Sequence, residues 1–305
     1  MKQEEIIPAV DVRLLKTELN PSTFLRKTRK GDNEIYCVNI HNAPNVVREI
    51  GRLREITFRD AGGGTGKSLD LDEFDTNEIC YDQLVLWSPE DEEIIGGYRY
   101  ILCKKAIQPD GIHLSTTHYF HFSDEFINEY LPFTIELGRS WIQPKFQPSN
   151  NPKKGLFALD NIFDGLGGLV KQYPEIRYFF GKFTMYPSYA TEARNYLLEF
   201  LNYYFPDEEK LVIPVRPLKI KENISFVERD LEGLEYKEGY KKLNSYVKQY
   251  GEFIPPLVSV YMSLSPTMKT FGTCINEDFG GVEETGILIK IEDIYEEKKE
   301  RHLQY

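Results

Sequence analysis

The chain has 305 residues, 41% of them hydrophobic and 28% charged, with a formal net charge of -11. That length and balance suit one large soluble domain, or one domain with an extension. The acidic charge excludes nucleic acid as a natural partner, because repulsion by phosphates would first have to be overcome.

Residues 34–40, EIYCVNI, read as a strand rich in β-branched and aromatic side chains. Val46, Ile50, Leu53 and Thr57, flanked by Val47 and Phe58, recur at helical spacing and make one apolar stripe. The glycines at 62–64 end that helix. Gln83–Trp87 and Glu93–Leu102 are strands joined by the acidic link SPEDE, which suits a hairpin. Phe133–Ile142 is a further strand, followed by a polar loop from Gln147 to Gly155. An amphipathic helix is expected over Phe157–Tyr173, a strand over Arg177–Phe183, and a helix over Thr191–Tyr204 with Thr191 as its cap.

Beyond Phe205-Pro206 the texture becomes charged and spotted with tyrosine, then marked by Pro255-Pro256, Gly272 and Gly280-Gly281. The charge run from Glu292 to Arg301 fits a solvated helix or a frayed end. The order predicts an α+β fold, a mainly antiparallel sheet flanked by helices, rather than a doubly wound alternation. It divides into an N-terminal segment (1–32), a core (33–205) and a C-terminal extension packed on the core (206–305).

The cysteines Cys37, Cys80, Cys103 and Cys274 form no C-x-x-C pair, which favours a reducing compartment over a disulfide framework or a zinc ribbon. No stretch approaches the roughly 20 apolar residues of a membrane span, and MKQEEIIPAVDV lacks the apolar segment of a signal peptide. A cytoplasmic location is expected. Aromatic residues make up 13% of the chain, which fits either a dense core or a deep apolar pocket.

The run Ala61-Gly-Gly-Gly-Thr-Gly-Lys67-Ser68 approximates a phosphate loop. A working phosphate loop leaves a strand and opens a helix, so that backbone N–H groups and the helix N-terminus converge on the phosphate. Here the glycines follow a helix, and LDLDEFDTNE comes after them. Carboxylates there would repel phosphate, so the run is expected to be a turn and not a nucleotide site.

The aspartates after it are more informative. Arg54-x-x-x-Phe58 lies on the first long helix, Asp72-x-x-Asp75 in the loop, Arg99 in Gly96-Gly-Tyr-Arg99, and Glu136-x-x-Arg139 in the next strand. Charges in strands this apolar are costly unless paired, and the arginines and the acidic loop supply the pairing. The lone histidines His41, His113, His118 and His121 show no metal-ligand pattern. The segment His118–Phe122 fits either an acyl-tunnel wall or a core strand.

In order and spacing, Arg54, Asp72, Asp75, Arg99, Glu136 and Arg139 resemble the acyl-homoserine lactone synthases. They are still more similar to the bacterial N-acyl amino acid synthases of the ornithine- and glycine-lipid type, some of which carry a haemolysin label. Both belong to the Gcn5-related N-acyltransferase (GNAT) superfamily. Pro255–Tyr261 through Asp278-Phe279-Gly280 also resembles the C-terminal part of the lipid synthases. The lactone synthases carry a tryptophan between the arginine helix and the aspartate loop. Residues 59–71 contain none, which favours an amino acid acceptor.

The resemblance implies a GNAT-like fold. It also implies transfer of a fatty acyl chain, with or without a 3-hydroxyl, from acyl carrier protein to the amine of an amino acid such as glycine or ornithine, for aminolipid synthesis. The donor would be an acyl-phosphopantetheine thioester, on the carrier protein or on coenzyme A, with no metal and no permanent cofactor. Glu136 is the candidate base, acting directly or through water, with Arg99 and Arg139 beside it. Arg54, Phe58, Asp72 and Asp75 are the candidate acceptor-binding set, and a backbone N–H near Gly138 or Arg139 would meet the oxyanion. Lys153, Lys154 and Gly155 would hold the donor, with Lys104 and Lys105 as further members of that basic patch. The expected partners are the carrier protein, an amino acid and a peripheral contact with the inner membrane face. The competing readings are a small-acyl transferase using acyl-coenzyme A and a non-catalytic lipid-binding or haemolysin-like protein.

Overall fold

A computed structural model of the protein describes residues 3–155, 157–220 and 224–303. The chain divides into two compact units, one formed by residues 1–115, 133–176 and 296–305 and the other by 116–132 and 177–295.

The first unit carries an antiparallel sheet in the order Phe24–Lys27, Glu34–Val38, Asp82–Ser88, Glu93–Leu102, Thr134–Ile142. Its strands match those read from the sequence to within two residues, apart from the added edge strand Phe24–Lys27. The strand Glu93–Leu102 is buried along nearly its whole length, as a central strand covered on both faces should be. On one face Leu84 packs against Gly165 of the helix Ala158–Gln172, where a Cβ would come within 2.5 Å of the leucine. The preceding residue, Gln83, points to the opposite face, as strand alternation requires, and reaches Asp75. The helix Pro44–Asp60 buries Val46, Val47, Ile50, Leu53 and Phe58.

Two expectations change here. The loop Gln147–Gly155 coils at its end into a helical turn, Pro152–Gly155. The C-terminal charge run is a docked helix, Glu296–His302. His302 Nδ1 lies 2.9 Å from Asp164 and Arg301 bonds Asp160 at 2.6 Å, so the helix is neither frayed nor freely solvated.

The second unit is built on three antiparallel strands in the order Tyr178–Met185, Val282–Lys290, Lys269–Asn276. The last two were not legible in the sequence. Gly272, at φ 79°, sits where the pairing register shifts, and Gly280 and Gly281 form the turn between the strands. Their glycines therefore read as loop when they mark a bulge and a hairpin. Phe120–Phe122 is a strand paired with Val212–Pro214, as one of its two readings had it. Tyr196 and Tyr246 stack at 4.2 Å between the helices Thr191–Tyr204 and Tyr236–Gln249, which accounts for the tyrosine-spotted stretch. No described helix is long and apolar enough to cross a membrane.

Candidate active site

The glycine run after the helix Pro44–Asp60 wraps a carboxylate of its own chain. Glu55 accepts from the backbone N–H of Thr65 at 3.0 Å, from the Thr65 hydroxyl at 2.7 Å and from the N–H of Gly66 at 2.8 Å. Gly62, Gly64 and Gly66 all have positive φ, which lets the backbone curl this tightly. The N–H groups a phosphate would need are therefore occupied. The turn then delivers Asp70, Asp72 and Asp75 to the sheet.

There the expected charges meet. Arg54, fully buried, donates through Nε to Asp70 Oδ2 at 2.8 Å and through its two terminal nitrogens to both oxygens of Asp75, at 3.2 and 3.0 Å. Arg99 bonds Asp72 at 2.6 Å and Asp75 at 3.1 Å. Arg139 pairs with Asp70 at 3.0 Å and lies 3.6 Å from Asp72. Gln83, Arg99 and Gly138 face one another across three adjacent strands, so the sheet sets the spacing of the network. Asp70, which the sequence placed in the acidic run without a role, bridges Arg54 and Arg139. Phe58, one turn beyond Arg54, is buried.

Burial pushes the Asp70 and Asp75 carboxyls up. The facing arginines outweigh it, Arg139 and Arg54 at Asp70 and Arg54 and Arg99 at Asp75, and hold both below the usual carboxylate range. Against burial, the Arg54 guanidinium is raised by Asp70 and Asp75, and that of Arg99 by Asp75 and Asp72.

Arg139 is placed by a bulge. Gly97 faces Trp141 and Arg99 faces Gly138, so Arg139 and Ser140 stand together opposite Tyr98. Arg139 takes φ 47°, and the irregularity turns its side chain to Asp70. Gly96 and Gly97 stand opposite; a Cβ on either would lie 2.3 Å from a neighbouring carbonyl oxygen.

Glu136 stands beside this network and is held by different groups. Its Oε1 accepts from the Tyr81 hydroxyl at 2.7 Å and from the Ser115 hydroxyl at 2.8 Å, and the Tyr81 oxygen itself accepts from the backbone N–H of Ser115 at 2.8 Å. Burial and then Glu136 push the Tyr81 phenol well above its ordinary value, so it remains a donor. The Arg99 guanidinium lies 4.9 Å over the Tyr81 ring, which links Glu136 to the ion network. Neither Tyr81 nor Ser115 was among the sequence candidates. Tyr81 sits just before the strand Asp82–Ser88 and Ser115 just after a short hairpin, Ile107–Gln108 with Gly111–Ile112, and no spacing rule connects them to residue 136.

The basic residues separate. Lys154 bonds Asp91 at 2.7 Å and Glu90 at 3.3 Å, ahead of the strand Glu93–Leu102. Lys104, just past the other end of that strand, pairs with Glu175 at 2.7 Å. Ten strand residues span roughly 30 Å, so Lys104 and Lys105 do not share a patch with Lys154. Gly155 packs so closely on Phe146–Pro148 that a Cβ would come within 2.5 Å of the Pro148 nitrogen.

The acetyltransferase (GNAT) domain model matches residues 53–154, from the arginine helix to Lys154. Over 99% of its length the chain is 53% identical to a glycine N(alpha)-acyltransferase of Bacteroides thetaiotaomicron, covering 90% of that protein. It is 52% identical to one of Phocaeicola vulgatus, covering 93% of it. The structure of FeeM, an N-acyl amino acid synthase from uncultured soil microbes, aligns over 86% of this chain and 93% of its own, at 9% identity and a TM-score of 0.42. With its GNAT match and these nearly full-length relatives, the chain belongs to the glycine N-acyltransferase family of GNAT enzymes and is an N-acyltransferase.

Proposed function

We propose that the protein joins a fatty acyl chain, with or without a 3-hydroxyl, to the amine of glycine, taking the chain from a carrier-protein thioester and supplying aminolipid synthesis. The observation that carries this reading is Glu136, a fully buried carboxylate held by two hydroxyls in a GNAT enzyme. Amine acylation needs a base at that step, and a positioned carboxylate can supply it. The names of the two relatives favour glycine over ornithine. Asp72 and Arg139 are the partly exposed members of the ion network and would meet the acceptor's charged ends. The oxyanion is assigned to a backbone N–H near Gly138 or Arg139, beside the bulge. In an assay with a hexadecanoyl thioester, glycine should give N-hexadecanoylglycine by mass spectrometry at a higher kcat/KM than ornithine. Preference for ornithine would overturn the acceptor assignment.

The carrier-protein donor is supported by charge. Lys153 is exposed and makes no ion pair with a described residue. Lys30, whose ammonium lies 4.6 Å over the ring of Phe157, brings a second basic segment to the same loop. That segment, residues 26–33, carries four cations against the single carboxylate of Asp32. It is fixed by Thr28 Oγ1 donating to Lys30 O at 2.8 Å and by Arg29 N donating to Asp164 at 2.9 Å. A rigid basic surface on an acidic chain suits an acidic partner. Reversing Lys27, Lys30 and Lys153 to Glu should raise KM for carrier-bound donor about tenfold, with KM for the coenzyme A thioester unchanged. Equal changes for both donors would assign the patch to the shared phosphate arm instead.

A further inference from the structure

Glu136 is wholly buried, at 0% exposure, as is Tyr81 at 1%. The third member of their hydrogen-bonded triangle, Ser115, is the most exposed, at 9%. Both Glu136 contacts from this triangle end on one oxygen, Oε1. A proton taken from an acceptor amine therefore has a route to that oxygen through the Ser115 hydroxyl, which already points its donor at it over 2.8 Å.

We infer that Ser115 is a catalytic residue that relays the amine proton to Glu136, and that Tyr81 is a positioning residue that holds both ends of the relay. The inference rests on Glu136 being the base. As the amine nitrogen bonds to the thioester carbon, its proton passes to Ser115 Oγ while the Ser115 hydroxyl proton passes to Glu136 Oε1. When the tetrahedral intermediate collapses, the C–S bond breaks and the proton returns through the same hydroxyl to the leaving sulfur. Amine and thioester become amide and thiol, and Glu136 and Ser115 end as they began.

Tyr81 suits its role because one phenol oxygen makes two contacts. It donates to Glu136 Oε1 and accepts the Ser115 backbone N–H, so it fixes the carboxylate and the serine backbone together. Its ring is clamped in turn under Arg99, whose terminal nitrogen is held by Asp72 and Asp75. In this arrangement the ion network keeps the relay in register.

Ser115→Ala should lower kcat about 100-fold with KM for glycine and for donor within about twofold. Ser115→Thr, which keeps the hydroxyl, should recover most of the loss; a merely structural serine would not show that split. Tyr81→Phe removes the donor that fixes the carboxylate and the acceptor that fixes the serine backbone, so kcat should fall about tenfold with KM for glycine and for donor within about twofold. Wild-type kcat in Ser115→Ala would overturn the relay, as would Ser115→Thr being no better than Ser115→Ala. Glu136→Gln separates the two levels. If it is inactive while Ser115→Ala turns over normally, the relay falls and the base stands. If it is fully active, the base assignment falls and takes the relay with it.

Discussion

Glu136→Gln is expected to lower kcat by about three orders of magnitude, within the range that removal of a positioned acid–base group produces. The substitution is nearly isosteric. The Gln amide oxygen can still accept from the Tyr81 and Ser115 hydroxyls that hold Oε1 in the native protein. What disappears is the ability to take a proton. Circular dichroism and the melting temperature should therefore stay close to those of the native protein while turnover collapses, with KM for glycine little changed. Turnover at the native rate would remove Glu136 from the mechanism.

Arg54→Ala is expected to act on the fold. Its guanidinium holds two buried carboxylates, and nothing in the helix could replace four donors at fixed angles. Removing one partner of a buried ion pair costs about 3–5 kcal/mol, because the remaining charge is left uncompensated. For a chain of this size that lowers the melting temperature by about 10 °C. Arg54→Lys should recover only part of it, since an ammonium cannot span Asp70 and both oxygens of Asp75. A change of less than about 2 °C, accompanied by a raised KM for glycine, would assign Arg54 to substrate binding instead.

The same network sets the acid limit of stability. Asp70 and Asp75 are depressed in the fold, so their contribution is complete above the unfolded carboxylate value of about 4 and is lost as pH falls through the folded values. Native melting temperature should be flat through neutral pH and fall below about pH 4. In Arg54→Ala the decline should begin at higher pH, because both carboxyls lose a compensating charge.

Much of the site was legible as a set and little of it as geometry. Arg54, Asp72, Asp75, Arg99 and Arg139 could be grouped because charges in apolar elements must find partners. Which arginine meets which aspartate could not be read, since that depends on the bulge that turns Arg139 toward Asp70. Asp70 was visible in the acidic run but had no claim over its neighbours until it was seen bridging two arginines. Lys153 and Lys154 look alike in sequence, yet Asp91 neutralises only the second. The hairpin Lys269–Lys290 was hidden because its glycines, placed at a bulge and a turn, carry the same signal as a loop.

By itself, the sequence determined the α+β class, four of the five main-sheet strands and the two long helices of the first unit, and the kinship with N-acyl amino acid synthases. These depend on local periodicity and on ordered short motifs, which survive in one dimension. Only the tertiary structure decided that the glycine run encloses Glu55, that Arg54 is sealed among aspartates, and that Tyr81 and Ser115 converge on Glu136. Those contacts join residues 10 to 55 positions apart. Their formation depends on strand register and on how each turn closes, and neither is written in the spacing of the residues themselves.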